Sequence, residues 1–204
     1  MEELYTTWKA IGVAGGDLSF FQDFFVKFYQ AFIEGDRWLQ YLNGVKTTLL
    51  VTALALILGI VLGVLVAMLR TAHDQQRPGH RNPILAVLNL ICKVYVTVIR
   101  GTPMMVQLLI MGFVIFASSR NFTMIGTLTL GINSGAYVSE IVRGGLMSVD
   151  KGQMEAGRSL GLNYMTTMRF IVIPQAVKAI LPALGNEFII LLKDTSLITV
   201  IGGK

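Results

Sequence analysis

The stretch "TTLLVTALALILGIVLGVLVAML", residues 47–69, contains 23 consecutive residues without a charge. At about 1.5 Å per residue, a helix of this length exceeds the roughly 30 Å hydrocarbon core of a bilayer. The chain as a whole is 53% hydrophobic and only 14% charged, whereas soluble domains carry about 25% charged residues. The stretch therefore predicts a transmembrane helix, and the composition predicts an all-α membrane protein.

Two further uncharged stretches, residues 101–119 and 121–139, lie on the C-terminal side. We predict four complete spans, at about 43–69, 100–118, 123–143 and 169–192. Residues 1–42 are more mixed in composition, so the chain divides into an N-terminal segment, 1–42, and a transmembrane domain, 43–204. The tail "ITVIGGK" resembles the start of a further helix that the sequence does not complete.

The segment before the second span is interrupted by charges and by a helix-breaking motif. Lys93 lies within the apolar segment 84–98. Arg100 lies just after it, as the first residue of the motif "RGTP". Pro103 removes a backbone donor and biases the residue before it away from the helical region. We therefore predict an interfacial helix over 84–98, with Arg100 reaching the inner membrane surface from the start of the second span.

The N-terminal segment contains "FFQDFFVKFYQAFI", residues 20–33, with seven aromatic residues. Six of them have near-helical spacing, namely Phe21, Phe24, Phe25, Phe28, Tyr29 and Phe32. This pattern predicts an amphipathic helix, either in the membrane interface or packed on the bundle.

Basic residues are concentrated in two of the connecting segments. Cytoplasmic loops carry an excess of lysine and arginine, so these segments are predicted to lie inside and the N-terminus outside. The residues are Arg70, Arg77 and Arg81 in segment 70–82, and Arg143, Lys151, Arg158 and Arg169 in segment 143–169.

The sequence contains no pattern typical of a catalytic or metal site. Cys92 is the single cysteine, and His73 and His80 lie in a polar segment. The segment "NGVKTT", residues 43–48, lacks the full phosphate-loop pattern. The net charge of +5 arises from residues at span ends, so we predict no catalytic residues, no metal, no cofactor and no nucleic acid partner.

Two acidic residues fall inside predicted spans, Glu140 in the third and Glu187 in the fourth. Charged groups in a membrane normally face the bundle interior or a water-filled cavity. Glu140 either lines such a pathway or pairs with Arg143, and the neighbouring polar residues either line it or bond between helices. The predicted substrate pathway comprises Thr102, Gln107, Asn133, Tyr137, Glu140, Asn186, Glu187, Asp194, Thr195 and Ser196.

The loop 148–166 between the third and fourth spans carries helix-capping signals. Asp150 is a good N-cap, with Gln153 three residues later in an arrangement close to a capping box. Gly161 is a natural helix stop, and Asn163 is positioned to cap a second helix. The loop therefore predicts two short helices joined by a sharp turn, which is typical of a docking element rather than a linker.

This loop and its flanks resemble the permease subunits of ATP-binding-cassette importers, whose pattern is E-A-A-x3-G-x9-I-x-L-P. The matching residues are Glu155, Ala156, Gly157, Gly161, Ile171, Ile173 and Pro174. Gly157 replaces the second alanine of the pattern, and this change lowers the stability of the helix by up to about 1 kcal/mol. Ile173 replaces the leucine of the pattern. The segments "RGTPMMVQL", "GAYVSEIVRGG" and "PQAVKAILPALGNEFIILLKDTSL" resemble the polar amino acid permeases among them.

The resemblance implies the transmembrane domain of a type I importer in the bacterial cytoplasmic (inner) membrane. Loop 150–163 would be the coupling helix that docks on a separate nucleotide-binding ATPase subunit, which binds the ATP. A second permease subunit, identical or different, and a periplasmic or lipid-anchored amino acid binding protein are the other expected partners, besides membrane lipid. The predicted docking residues are Gln153, Glu155, Ala156, Gly157, Arg158, Leu160, Gly161 and Leu162.

The expected substrate is a polar amino acid, and the acids of the pathway favour a basic one. The family has a fifth span after "TSLITVIG", so we expect this chain to be a fragment with a truncated fifth span. The alternative function is a self-contained, ion-coupled secondary transporter or channel that uses Glu140 and Glu187. Inverted repeats would favour that alternative, and the sequence shows none.

Overall fold

The computed structural model describes residues 1–76 and 82–202, and within these ranges it contains helices but no strand. The prediction of an all-α protein is therefore confirmed. The α-helices are α1 (Glu2–Val13), α2 (Phe20–Phe32), α3 (Arg37–Asp74), α4 (Pro83–Gly101), α5 (Met104–Ile110), α6 (Phe122–Met147), α7 (Lys151–Ser159), α8 (Tyr164–Thr167) and α9 (Ile173–Asp194). Short 3-10 helices span Glu34–Asp36 and Thr195–Ile201, and π-helical turns span Met111–Ile115 and Met168–Val172.

The first of two compact units ends at Thr47 and the second begins at Thr48. In the first unit α1 packs against α2 through aromatic rings, with the Tyr5 and Tyr29 centroids 4.2 Å apart. The predicted amphipathic helix is present as α2. Its phenyl side chains on one side remain exposed, namely Phe20, Phe21, Phe24, Phe28 and Phe32.

Helix α6 lies at the centre of the second unit, where glycines allow close approach of α3. A Cβ atom at Gly59 would lie 2.6 Å from the Ser134 hydroxyl, and one at Gly63 would lie 2.6 Å from Val138. The two glycines are four residues apart in α3. Small residues at this spacing permit such close contacts between helices.

The remaining sides of α6 are also covered. A Cβ atom at Gly126 would lie 2.6 Å from Ile198, and the Tyr95 hydroxyl of α4 donates a hydrogen bond to the Ile132 carbonyl. The core of this unit joins residues from α3, α5, α6, α9 and the last 3-10 helix, namely Val51, Ala55, Leu108, Ile125, Leu130, Leu191, Ile198 and Ile201.

Three helical runs in the described residues are long and apolar enough to cross a membrane, Glu34–Asp74, Pro83–Gly101 and Tyr164–Ile201. Helix α6 has 26 residues but is not among them. Most of its glycine, serine and threonine residues are buried, namely Gly126, Thr129, Gly131, Ser134, Gly135, Ser139 and Gly145. A helix enclosed in this way needs little hydrophobicity, because the surrounding helices rather than lipid cover its surface.

Several predicted helix boundaries differ from the structure. Residues 100–118 do not form one helix, because α4 continues through Gly101 and α5 begins only after Pro103. Helix α3 begins at Arg37 and extends to Asp74, so it includes Arg70 and His73, which the sequence assigned to a loop. Arg77, His80 and Arg81 lie outside the described residues.

After α9, Thr195–Ile201 continues the helical run as a 3-10 helix. Ile198 and Ile201 of this segment are buried in the core. The two isoleucines of "ITVI" therefore pack inside the unit, whereas Val200 is 40% exposed.

The contact between α3 and α6 predicts a position-dependent effect of alanine on stability. We expect Gly63→Ala to destabilise the protein by about 1–3 kcal/mol, because the added methyl group has no space beside Val138. In the control Gly44→Ala, also in α3, no atom lies within 4 Å of the new Cβ, and we expect a gain of up to about 1 kcal/mol. Thermal unfolding in detergent measures both, and equal effects would contradict the packing.

Candidate functional site

A cavity of about 450 Å³ lies where the break between α4 and α5 faces α6 and α9. Five of the predicted pathway residues border it: Thr102, Asn133, Tyr137, Glu187 and Asp194. The other lining residues are Arg100, Gly101, Pro103, Met104, Ile190 and Leu191. The structure thus brings together residues that are far apart in the sequence and belong to three helical segments.

The cavity carries charges of both signs. The Arg100 guanidinium lies 5.1 Å from the centroid of the Tyr137 ring, within the range of a cation–π interaction. Glu187 is only 4% exposed, and Asp194 lies seven residues, or about two turns, further along the same helix. A cation and two acids around one cavity can pair with both the carboxylate and the ammonium group of an amino acid.

Arg100 is the site residue that the sequence interpretation missed, since it was expected to reach the inner membrane surface. The position of this arginine directly before Gly101, Thr102 and Pro103 was the available signal. A helix break exposes backbone polar groups, and in a membrane protein such irregular backbone is tolerated where it lines a cavity or is buried in protein.

Gln107, also a predicted pathway residue, is buried beside the cavity and does not line it. Its amide nitrogen donates to the Ile99 carbonyl at 2.8 Å and to the Thr102 carbonyl at 3.1 Å. Its amide oxygen accepts from the Asn133 side chain at 3.1 Å. Gln107 therefore satisfies carbonyls next to the Pro103 break and holds Asn133 of α6 against that break.

The other predicted pathway residues lie outside this cavity. Asn186 is exposed on α9, while the hydroxyls of Thr195 and Ser196 donate to the carbonyls of Leu192 and Lys193, both at 2.7 Å.

Glu140 forms an ion pair, but its partner is Arg70 of α3 rather than the expected Arg143. Arg143 pairs with Asp74 of α3, with 2.7 Å between Nη1 and Oδ2. The pair with Arg143, one of the two roles that the sequence left open for Glu140, is thus not formed, and both residues connect α6 to the end of α3.

The loop after α6 forms two short helices, as predicted. The Asp150 carboxylate caps α7 by accepting from the Gly152 amide at 2.6 Å, and the Asn163 side chain caps α8 by accepting from the Thr166 amide at 2.8 Å. Gly161 has a φ of +79°, and the Leu162 amide donates to the Gly157 carbonyl at 3.0 Å. These contacts end α7 at the predicted glycine in a Schellman motif.

The predicted capping box is not completed. The Gln153 side-chain oxygen accepts instead from the Gln175 amide of α9 at 3.2 Å, so this residue connects the two helices.

Most of the predicted docking residues are accessible. Gln153, Glu155, Ala156, Arg158, Leu160 and Gly161 are exposed, and Leu162 is half-buried. Leu160 is 79% exposed and Met165, which the sequence interpretation did not include, is 72% exposed. The loop therefore presents apolar side chains among charged ones, on a backbone held by caps at both helices.

Gly157 is the exception among these residues, because it is buried against α8. A Cβ atom there would lie 2.7 Å from the Thr167 hydroxyl oxygen, which itself donates to the Asn163 carbonyl at 3.0 Å. The glycine thus allows α7 to pack on Thr167, so its role is internal packing.

No group of three histidine, cysteine or acidic residues in the described parts of the chain is arranged to hold a metal ion. His73 lies within α3, where its Nδ1 is 3.1 Å from the Asn89 amide nitrogen.

The family of binding-protein-dependent transport system inner membrane components matches residues 84–204. The chain is 43% identical over 123 residues to the glutamine transport system permease protein GlnP of Escherichia coli K12. That match covers 57% of this chain and 55% of the relative, so the chain spans about half the length of that permease.

The putative glutamine transport system permease protein GlnP of Rickettsia typhi is 35% identical over 182 residues, covering 88% of this chain and 76% of that protein. Among solved structures, the crystal structure of an amino acid ABC transporter with histidines superposes with a TM-score of 0.65 at 39% identity. That superposition covers 80% of this chain and 76% of the other.

The packing at Gly157 predicts that restoring the usual alanine harms this particular chain. We expect Gly157→Ala to destabilise the protein by about 1–3 kcal/mol, because the methyl group meets the Thr167 side chain. Adding Thr167→Ala removes the nearest atoms, so the double variant should recover part of the loss. A double-mutant cycle on unfolding free energies measures the interaction, and strict additivity of the two effects would contradict the contact.

Proposed function

The chain belongs to the family of binding-protein-dependent transport system inner membrane components, and we propose that it is the transmembrane subunit of an ATP-driven amino acid importer. The observation that carries this proposal is the capped two-helix loop of Lys151–Ser159 and Tyr164–Thr167, with its accessible apolar tip. Such a loop is suited to docking on another protein, and the sequence has no phosphate loop of its own.

In this proposal the loop docks on a nucleotide-binding ATPase subunit, which binds and hydrolyses ATP. The contact surface is formed by Gln153, Glu155, Ala156, Arg158, Leu160, Gly161 and Leu162, together with Met165. Leu160 and Met165 are the exposed apolar side chains, and desolvated apolar residues commonly provide most of the energy at an interface core.

The proposed topology has the loop in the cytoplasm and the N-terminus outside. Lys151, Arg158 and Arg169 are exposed in or near the loop, which agrees with the excess of positive charge in cytoplasmic loops. Helix α2 then lies at the outer surface, where its exposed phenyl groups are suited to the membrane interface.

The substrate is proposed to be a polar amino acid that occupies the cavity of Arg100, Tyr137, Glu187 and Asp194. Arg100 can pair with the α-carboxylate and one acid with the α-ammonium group, because charge-assisted hydrogen bonds are strong in a partly desolvated site. The second acid remains available for a basic side chain or for an amide. The names of the similar proteins include one amino acid with an amide side chain, glutamine, and one with a basic side chain, histidine.

Import by this subunit requires two conformational states. In one state the cavity is open to the outside, and in the other it is open to the cytoplasm. We propose that it pairs with a second permease subunit and receives the amino acid from an extracytoplasmic binding protein. ATP-driven movement of the docked loop would shift the balance between the states, since a ligand shifts an equilibrium only by binding the states differently.

The alternative of an ion-coupled secondary transporter receives less support. It uses Glu140 and Glu187 as ion sites, but Glu140 is engaged by Arg70 and lies away from the cavity. The docking loop would also have no role in a self-contained transporter.

The docking proposal is tested by co-purification with a nucleotide-binding ATPase subunit of an amino acid importer, co-expressed with this chain. We expect Leu160→Asp to reduce the recovered ATPase subunit by tenfold or more, on the order of 1.4 kcal/mol, because it places a charge in the apolar part of the interface. Val13→Asp is the matched control, as Val13 is equally exposed at 82% but lies in the first unit. Equal recovery with both variants would remove the loop from the interface.

The cavity proposal is tested by amino acid uptake into proteoliposomes that contain the assembled transporter. We expect Glu187→Gln and Arg100→Gln each to lower uptake by about tenfold or more, since each removes a charge that pairs with the substrate. Glu3→Gln serves as the control for the loss of a carboxylate outside the cavity and outside the docking loop, because Glu3 is exposed in the first unit. Unchanged uptake in both cavity variants would exclude these residues from substrate binding.

A further inference from the structure

The end of α3 carries a polar cluster that connects the docking loop to α6. We infer that this cluster, formed by Arg70, Asp74, Gln75, Glu140, Arg143 and Tyr164, makes the docking loop and the cavity-lining helix α6 move together. The inference rests on the proposed function, since it concerns how movement of the docked loop reaches the cavity.

The first contact joins the loop to α3. The Tyr164 hydroxyl, at the start of α8, donates to the Gln75 side-chain oxygen at 2.8 Å. Tyr164 immediately follows Asn163, which caps α8, so its backbone is held firmly. A displacement of the loop is therefore transmitted to the last residues of α3.

The second contact joins α3 to α6 at two levels. Arg143 pairs with Asp74 at 2.7 Å, and Arg70 pairs with Glu140. Residues 70 and 74 are one turn apart in α3, and residues 140 and 143 are about one turn apart in α6. Two stacked ion pairs resist both sliding and rotation of one helix against the other, whereas a single pair would permit rotation.

The Arg70 pair is the more restrictive of the two. The Arg70 side chain is only 12% exposed and that of Glu140 is 30% exposed, whereas Asp74 is 56% exposed. Separating a partly buried pair leaves charges without a partner in a poorly solvated position. The helices are consequently held in register at Arg70 more strongly than at an exposed surface pair.

Helix α6 extends this connection to the cavity. Asn133 and Tyr137 line the cavity, and they lie on the same face as Glu140, at spacings of four and three residues. An axial shift or rotation imposed at Glu140 therefore moves the cavity wall, since α6 is continuous from Phe122 to Met147.

The loop is also connected to the other wall of the cavity. The bond between Gln153 and Gln175 joins α7 to α9, the helix that carries Glu187 and Asp194. Because α6 and α9 are both fastened to the loop, a loop movement reaches both sides of the cavity.

The test uses the complete transporter, with its ATPase and binding protein, in nanodiscs and proteoliposomes. The charge reversals Arg70→Glu and Glu140→Arg are each expected to lower uptake per ATP hydrolysed by about fivefold or more, the size of a typical coupling between sites. The double reversal restores the pair with opposite orientation and should recover most of the loss. Recovery of the ATPase subunit on purification should be normal in all three variants.

A second variant tests the contact between the loop and α3 without a charge change. Tyr164→Phe removes only the hydroxyl group and should also lower uptake per ATP hydrolysed. Tyr41→Phe is the matched control, since Tyr41 is exposed in the first unit. If a charge reversal prevents folding, Asp74→Asn at the more exposed pair tests the same connection.

Strictly additive losses in the double reversal, or a normal uptake ratio in both Tyr164→Phe and Asp74→Asn, would overturn the inference. Failure of the proposed function looks different, because the unmodified chain would then neither retain the ATPase subunit nor take up an amino acid. A cluster that only stabilises the fold would lower the unfolding temperature of the variants while leaving the uptake ratio unchanged, and this result too would overturn the inference.

Discussion

The close packing of α6 against its neighbours is the constraint on which the rest of the structure depends. Gly59 and Gly63 of α3 meet Ser134 and Val138 of α6 so tightly that a methyl group on either glycine has no space. Inside a membrane the hydrophobic effect does not drive helices together, so they associate through close van der Waals packing, which small residues permit. Because α6 is largely enclosed by other helices, Asn133 and Tyr137 can line the cavity and Glu140 can pair with Arg70 of α3.

Local chemistry was readable from the sequence wherever a few neighbouring residues determine the backbone. Asp150, Gly161 and Asn163 predicted the two-helix loop correctly, since caps and left-handed glycines act within a single turn. The break at Pro103 was also correctly located. The position of Arg100 was misjudged, because a proline does not reveal whether the residues before it belong to the preceding or the following helix. Arg100 lies in the last turn of α4.

Contacts between distant segments could not be predicted in the same way. For Glu140 the sequence left open a place in the pathway or a pair with Arg143, its neighbour on the same helix, yet its partner is Arg70 on another helix. Gln107 was expected to contact substrate, whereas it satisfies carbonyls beside the helix break. In both cases the residue type indicated a polar interaction correctly, but the partner depends on how α3, α4, α5 and α6 pack together.

The departure at Gly157 shows how such packing changes the meaning of a motif residue. From sequence alone this glycine only lowers helix stability, by up to about 1 kcal/mol. In the structure it provides the space for Thr167, whose side chain would collide with alanine. The deviation from the family pattern is therefore explained by the contact between α7 and α8.

We propose that the loop around Leu160 faces the cytoplasm and docks on an ATPase subunit. The most direct test of this proposal is labelling of Leu160→Cys with a membrane-impermeant maleimide, with the unmodified chain as the background, since Cys92 is buried. We expect labelling in inside-out vesicles but not in intact cells, and protection when the ATPase subunit is bound. Labelling from the outside, or undiminished labelling in the assembled complex, would contradict it.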